Sequence, residues 1–359
     1  MNKLTVPIFI SHRGCPHRCV FCDQVKISGS AAMLPRESDL IGKIGEYTKT
    51  SNGRKLEVAF FGGSFTGLPV TAQEKLLVPL QPLLSAGEVA SVRISTRPDS
   101  VDPASAAFLK RMGVGAVELG VQSMDDEVLE LSGRGHGSRE VADAVSVLKD
   151  EGLAAGIQLM PGLPGDSSAK SLASLHRALD LKPNFLRIYP TLVIAGTPLE
   201  DLYLHGSYRP MTLDRAVRLC KVMLVESLRS NVPVIRMGLQ PTADLLTEGV
   251  IVAGPWHPAF RQMVEAELCF DLISSMIHGA VPCDDMVTVF CCPSRVSDVA
   301  GQRRANAERL RRQFGIRIAA VRPDPELTPF ELIVVSNSGV RRGNMLRDLR
   351  YGREVVENV

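Results

Sequence analysis

Three cysteines fall within eight residues near the N-terminus: Cys15, Cys19 and Cys22, spaced C-x3-C-x2-C. Thiolates this close can converge on one metal centre. Their setting, SHRGCPHRCVFC, is polar and turn-forming, unlike the apolar setting in which incidental thiols are buried. A fourth nearby cysteine would suggest a closed site, a structural zinc or an electron-transfer cluster. The next cysteine is Cys220. Three ligands leave one coordination position open, an arrangement suited to catalysis. His12 and His17 flank the cysteines, so a Cys3His zinc site is the alternative. The simpler use of either histidine is a local hydrogen bond or a place in solvent.

Other residues able to do chemistry fall in short polar or glycine-rich stretches. GGSFTG brings Gly62, Gly63 and Ser64, and a missing Cβ lets backbone approach a ligand closely. STRPD brings Ser95 and Arg97, and GVQS brings Gln122, a side chain with both a donor and an acceptor. RGH brings His136 and Arg134, the natural bidentate partner of a carboxylate. Gln158 precedes the turn MPGLPG, which lacks the lysine of a triphosphate-binding loop. Each also has a structural reading: an ordinary glycine turn, Arg97 paired with Asp99, a surface Arg134, a satisfied His136. Tyr189 reads as packing, and His257 beside the single tryptophan, Trp256, is a weaker candidate.

These stretches share a position. Short apolar runs at Thr5–Ile10, Glu57–Phe61, Ser91–Ser95, Ala116–Val121, Ala155–Met160 and Phe185–Tyr189 read as strands. Helical patterns lie between them at Glu37–Lys49, Ala72–Leu84, Pro103–Met112, Ser138–Glu151 and Ser168–Leu181. Strands joined through helices lie parallel, and their near-continuous apolar character fits burial on both faces. The fold expected is α/β, a partial (β/α)6 TIM-like barrel with a small C-terminal α+β appendage; a doubly wound sheet competes. In both, function gathers at the C-terminal strand ends, where the candidate stretches stand, apart from RGH, which sits between two helical patterns, and the His257 segment, which lies beyond the core. The core is expected over residues 1–240 and the extension, a candidate substrate-binding part, over residues 241–359.

The chain has 359 residues, 45% hydrophobic and 22% charged, which excludes wholesale disorder. Its net charge of +2 says nothing for a nucleic-acid partner. From residue 295 to 359, however, there are thirteen Arg, no Lys and eight acidic residues. Arg303, Arg304, Arg309, Arg311 and Arg312 fall on one expected helix, Asp298–Phe314, either a solvated face or a landing site for RNA. No apolar stretch is long enough to span a membrane, and the run in TVPIFI is too short for a signal-peptide core. The eight cysteines are then expected reduced in a cytoplasmic protein. Cys283, Cys291 and Cys292 are poorly spaced for a second cluster, since adjacent residues of a strand point to opposite faces.

With Phe21 just before the last cysteine, C-x3-C-x2-C resembles the radical S-adenosylmethionine (SAM) superfamily. The resemblance implies that Cys15, Cys19 and Cys22 hold a 4Fe-4S cluster whose fourth iron chelates SAM. An electron then cleaves SAM to methionine and a 5′-deoxyadenosyl radical that abstracts hydrogen from substrate. It also places Phe21, Gly62, Gly63, Ser64, Ser95, Arg97, Gln122, Arg134 and Gln158 about SAM, and calls for a reductant such as flavodoxin or ferredoxin. Ser64 stands where the family's Gly-Gly-Glu motif has its acid. STRPD, VELGVQS, RGH, MPGLPG and YPTLVIAGT together resemble the branch of the Elongator catalytic subunit, over residues 4–260. The Elongator subunit modifies tRNA, and the arginine helix motivates a tRNA or other RNA substrate here, with another, unassigned substrate left open. GQRRAN is not an acetyl-CoA pyrophosphate loop, so the Elongator acetyl-CoA reaction is not implied. A tetrapyrrole oxidase is a weaker reading, because those enzymes carry a further cysteine where this chain has Gln24.

Overall fold

The computed structural model describes residues 3–28, 34–240, 242, 244–279 and 285–352. Helices separate six strands: β1 (Leu4–Phe9), β2 (Leu56–Phe61), β3 (Val89–Thr96), β4 (Val114–Gln122), β5 (Ala154–Leu159) and β6 (Phe185–Ile188). Further on come β7 (Val193–Ile194), β8 (Val234–Met237) and β9 (Ile251–Ala253). One sheet runs in the order β1-β2-β3-β4-β5-β6-β8, while β7 and β9 pair separately. The neighbours from β1 to β6 are parallel. Strand order that follows chain order without reversal is that of a curling barrel; a doubly wound sheet reverses at a switch point. The sheet is a seven-stranded half-barrel, one strand more than the six expected βα units.

Burial reaches both faces of the central strands, as expected, since Ala59, Arg93 and Glu118 are buried as well, but the two faces differ in character. Val6, Ile8, Val58, Phe60, Val92, Ile94, Val117 and Leu119 are buried, and they alternate with Thr5, Glu57, Arg93, Ser95 and Glu118. The apolar set faces the helices, which bring Leu40, Ile44, Leu109, Val141, Leu148 and Leu175 to the same layer. The alternate set points into the barrel. Burying each large aliphatic side chain contributes about 1.5–3 kcal/mol, so this layer carries the fold and frees the inner face for polar groups.

The expected helix Ala72–Leu84 is broken. It runs as Val70–Leu77, a 3-10 turn Val78–Leu80 and Gln81–Ser85, with Pro79 and Pro82 each opening a new turn.

The chain separates into two compact units. The first comprises residues 1–211, 232–235 and 239–256; the second comprises 212–231, 236–238 and 257–359. Helix Leu213–Arg229 therefore belongs with the C-terminal residues, although it lies inside the first 240. The second unit holds a sheet of β10 (Met286–Cys291), β11 (Arg317–Pro323), β12 (Glu331–Ser336) and β13 (Gly339–Asn344), in the order β11-β10-β12-β13.

The single arginine helix expected over Asp298–Phe314 is two helices, Val296–Ala300 and Ala305–Phe314. Gly301, Arg303 and Arg304 all have positive φ (70°, 51° and 63°), so the backbone turns there. Of the helix arginines, Arg309 lies 3.7 Å from the Phe270 ring centroid and pairs with Glu267, and Arg311 pairs with Glu308. Arg303, Arg304, Arg311 and Arg312 are exposed and Arg309 is half-buried, and they do not share one helix.

Candidate active site

The cysteine loop leaves β1 and ends at helix Gln24–Ser28. Its first half lies backbone against backbone on the Gly62–Gly67 turn. His12 N–H donates to Gly62 O at 2.8 Å, and Ser64 N–H donates to Arg13 O at 2.9 Å. A Cβ on Gly63 would stand 2.4 Å from Arg13 O, one on Gly67 2.1 Å from Gly14 O, and one on Gly14 2.0 Å from Ser64 O. Three glycines are thus required by this close approach, before any ligand is considered.

Neither histidine is set up as a metal ligand. His12 Nε2 accepts from Gln24 N–H at 2.8 Å and so starts the helix, while the His17 ring lies against Gly135. Among the described residues no group of three His, Cys, Asp or Glu side chains is arranged to hold one metal ion. A mononuclear zinc needs ligand atoms converging at about 2.0–2.3 Å; a cluster spreads its thiolates over separate irons. Cys19 is buried and Phe21 packs beside it, with Val128, Leu163, Leu199 and Tyr208, so the ring anchors the loop. The Cys22 thiol is pushed up to about 12, first by burial and then by the Cys19 sulfur, with Arg134 opposing. Cys15 is raised as well, by desolvation and then by Cys19, against Arg97 and Arg134.

The strand ends meet this loop through a run of hydrogen bonds. Ser64 Oγ is 2.9 Å from Thr96 Oγ1 and accepts from Arg97 N–H at 3.3 Å. The Ser64 hydroxyl is therefore fully buried in a pair with Thr96. Arg97 donates from Nε (2.9 Å) and Nη2 (2.8 Å) to the two oxygens of Asp99, and from Nη2 to Arg134 O. Arg134 donates from Nη1 to Cys19 Sγ at 2.9 Å and from Nη2 to Gly120 O. Gln122 sits on an irregularity of β4 with φ 74°, and its Oε1 accepts from Gln158 Nε2 at 3.1 Å. Positive φ at a non-glycine residue costs of order 1–3 kcal/mol and is held by surrounding structure.

Thus the loop, Phe21, Gly62, Gly63, Ser64, Arg97 and Arg134 are brought together, with the Gln122–Gln158 pair on the adjoining strand ends. Ser95 is not among them: its hydroxyl donates to Glu118 at 3.1 Å, deeper in the barrel. His136 is buried, and burial with the Arg134 charge pushes it down to about 4. Tyr189 packs against Arg187, with the guanidinium 5.1 Å from its ring centroid. His257 Nδ1 accepts from Ala259 N–H at 3.1 Å, a local role. Cys291 is buried at the end of β10 and Cys292, just past it, is half-buried; Cys283 lies outside the described residues. A cleft of about 520 Å³ is lined by His17, Asp126, Glu130, His136 and Glu140, whose carboxylates disfavour an anionic ligand.

Thr96, whose hydroxyl is shared by Ser64 and Thr66, lies within STRPD, but its residue type does not set it apart there as Arg97 does. An ionic network inside the barrel is equally hidden in the sequence. Glu118, 3% exposed at its side chain, pairs with Arg93 at 2.6 Å and with Arg187, and Arg93 reaches Glu57 at 2.7 Å. The available signal was charge at alternate positions of successive strands.

The residues fit an anionic cluster by charge, because Arg134 donates to Cys19 Sγ, and Arg97, itself paired with Asp99, acts with Arg134 on Cys15. A further donor is unspent: Arg134 Nε is buried with no hydrogen-bond partner.

The model of the radical SAM superfamily matches residues 9–175, and that of the radical SAM C-terminal domain matches residues 183–269. The chain belongs to the radical SAM superfamily. It is an enzyme of that family, whose cofactors are a 4Fe-4S cluster and SAM. A tRNA uridine(34) acetyltransferase of Methanocaldococcus jannaschii is 26% identical over 254 residues, 60% of this chain and 47% of that protein. An uncharacterized protein of the same organism is 29% identical over 259 residues, 68% of this chain and 77% of its own. The structure of Methanocaldococcus infernus Elp3 with an N-terminal deletion superposes with a TM-score of 0.58 at 23% identity, covering 74% of this chain and 62% of that one. That likeness shows the fold. The chain spans about half the length of the curated acetyltransferase it matches. Among its described residues no helix is long and apolar enough to cross a membrane.

Proposed function

We propose that Cys15, Cys19 and Cys22 hold the 4Fe-4S cluster and that this enzyme abstracts hydrogen from an RNA base, tRNA being the first substrate to try. When bound, the cluster and SAM supply reductive cleavage of SAM to a 5′-deoxyadenosyl radical. Everything else falls to the chain. The Gly62–Gly63 turn holds the cysteine loop in place, and Arg134 joins Cys19 to the end of β4. Arg97 and Asp99 brace Arg134, and Gln122 with Gln158 offers amide groups at the adjoining strand ends to the SAM ribose or carboxylate. Ser95 belongs with the barrel interior, where its hydroxyl is bonded to Glu118.

One observation carries the reading: the guanidinium of Arg134 donates to Cys19 Sγ at 2.9 Å, with an unspent Nε–H. A buried donor on a cysteine sulfur suits a charged thiolate ligand. Support for RNA comes from the similarity to a tRNA uridine(34) acetyltransferase and from the arginine excess after residue 295. A low-potential reductant such as flavodoxin or ferredoxin, a cytoplasmic setting, and a substrate-binding part within residues 241–359 complete the proposal.

Anaerobic reconstitution with iron and sulfide, read by electron paramagnetic resonance after dithionite reduction, tests it. The expected result is a cluster signal that SAM perturbs and that Cys19→Ala abolishes. Stoichiometric zinc with no cluster would instead favour a metal-bearing scaffold.

A further inference from the structure

The four-stranded sheet of the second unit has two unlike faces. Val287, Val289, Cys291, Leu332 and Val334 are fully buried on one. The other carries the residues between them, and pairing register decides which of these are neighbours. Phe290 of β10 lies opposite Arg322 of β11 and Ile333 of β12, and Ile333 lies opposite Arg342 of β13. Arg322, Phe290, Ile333 and Arg342 therefore form one row across the sheet, an arginine at each end and an apolar centre.

At about 4.8 Å per strand the row spans roughly 14 Å. Arg322 and Arg342 are exposed, and so is Val340, at 68%, in the neighbouring row. On the same face Arg317 lies opposite Met286, which is 55% exposed. Glu331 is the acid on this face, 14% exposed at its side chain and bonded to Arg342 at 3.0 Å.

We infer that this face binds an unpaired segment of RNA. The inference rests on the RNA reading above and adds the surface. A polyanion is favoured by arginines at both edges and by an arginine excess without lysine, and guanidinium groups both stack on bases and grip phosphate with paired donors. An unpaired strand is favoured by the apolar centre, because free bases stack on flat aromatic and aliphatic surface while duplex RNA presents mainly sugar and phosphate. Helix Ala305–Phe314 does not combine the two features: Arg309 is held by Glu267 and Phe270, and Arg311 and Arg312, though exposed, have no large exposed apolar side chain of that helix beside them.

The test is fluorescence anisotropy on the full chain with a labelled unpaired twelve-nucleotide RNA and its duplex, across salt concentrations. The wild type is expected to prefer the unpaired strand. Arg317→Gln, Arg322→Gln and Arg342→Gln combined should weaken binding more than about tenfold and flatten the salt slope by roughly 2, near 0.7 for each phosphate no longer neutralised. Phe290→Leu should weaken binding at least about fivefold by removing the stacking surface. The exposed arginine set guards against misfolding of the Phe290 variant. The variants should retain the cluster signal.

Wild-type binding that the variants leave unchanged would overturn this surface and leave the RNA reading standing. No wild-type binding at low salt, with the cluster intact, would overturn both. Equal affinity for duplex, or a concentration-dependent dimer that Phe290→Leu dissociates, would also overturn the unpaired-RNA surface.

Discussion

Arg134 Nη1 donates to Cys19 Sγ at 2.9 Å across 115 residues of sequence. The same guanidinium donates to Gly120 O, so one side chain ties the cysteine loop to the end of β4. Hydrogen bonds to a ligating sulfur stabilise the reduced cluster and raise its potential. Arg134→Gln is therefore expected to move the midpoint potential to a more negative value, read by electron paramagnetic resonance during redox titration. An unchanged potential in a fully loaded variant would remove this role.

The loop should be as sensitive to the Gly62–Gly67 turn as to its own cysteines. A Cβ at Gly63 would stand 2.4 Å from Arg13 O and 2.6 Å from Ile10 O. Both are backbone atoms and cannot swing aside. Gly63→Ala should cost about 1–3 kcal/mol by overpacking and displace the loop, lowering iron bound per chain while circular dichroism stays native. Full iron loading would show that the loop does not depend on this close approach.

Inside the barrel, Glu118 compensates Arg93 and Arg187 together. Removing one member of a buried ionic set leaves uncompensated charge, at about 3–5 kcal/mol. Glu118→Leu should lose that much in urea unfolding, while a surface change such as Asp143→Asn should lose under about 0.5 kcal/mol. A small loss at Glu118 would show the network to be solvated.

His136 gives a pH signature. Burial first, and the Arg134 charge second, press its folded pKa from 6.5 down to about 4. Between those values the unfolded chain binds a proton that the folded chain refuses, so stability falls as pH drops through that window. Above pH 6.5 both states are neutral and the contribution is constant. His136→Gln should flatten the slope of unfolding free energy between pH 6.5 and 4; an unchanged slope would locate the effect elsewhere.

Much of the fold and part of the site are legible in the chain itself. Apolar runs broken by helical patterns place six strands within a few residues, because period and turn chemistry are local. The three cysteines and the polar strand ends are legible for the same reason. What escapes depends on partners far apart in sequence. Arg134 is expected to face a ligand carboxylate, yet its Nη atoms go to Cys19 and Gly120, a choice set by how the loop folds back. The Glu57–Arg93–Glu118–Arg187 network follows from the register of four strands, which no single strand encodes. The break at Gly301 shows only as one glycine in an otherwise helical pattern, and the positive φ of Arg303 and Arg304 has no signal at all.

The central claim is radical SAM chemistry at the cysteine loop. Reconstituted enzyme with dithionite and SAM, analysed anaerobically by chromatography, should yield 5′-deoxyadenosine, and Cys19→Ala should yield none. Full cluster loading with no 5′-deoxyadenosine, either alone or with unmodified tRNA added, would contradict it.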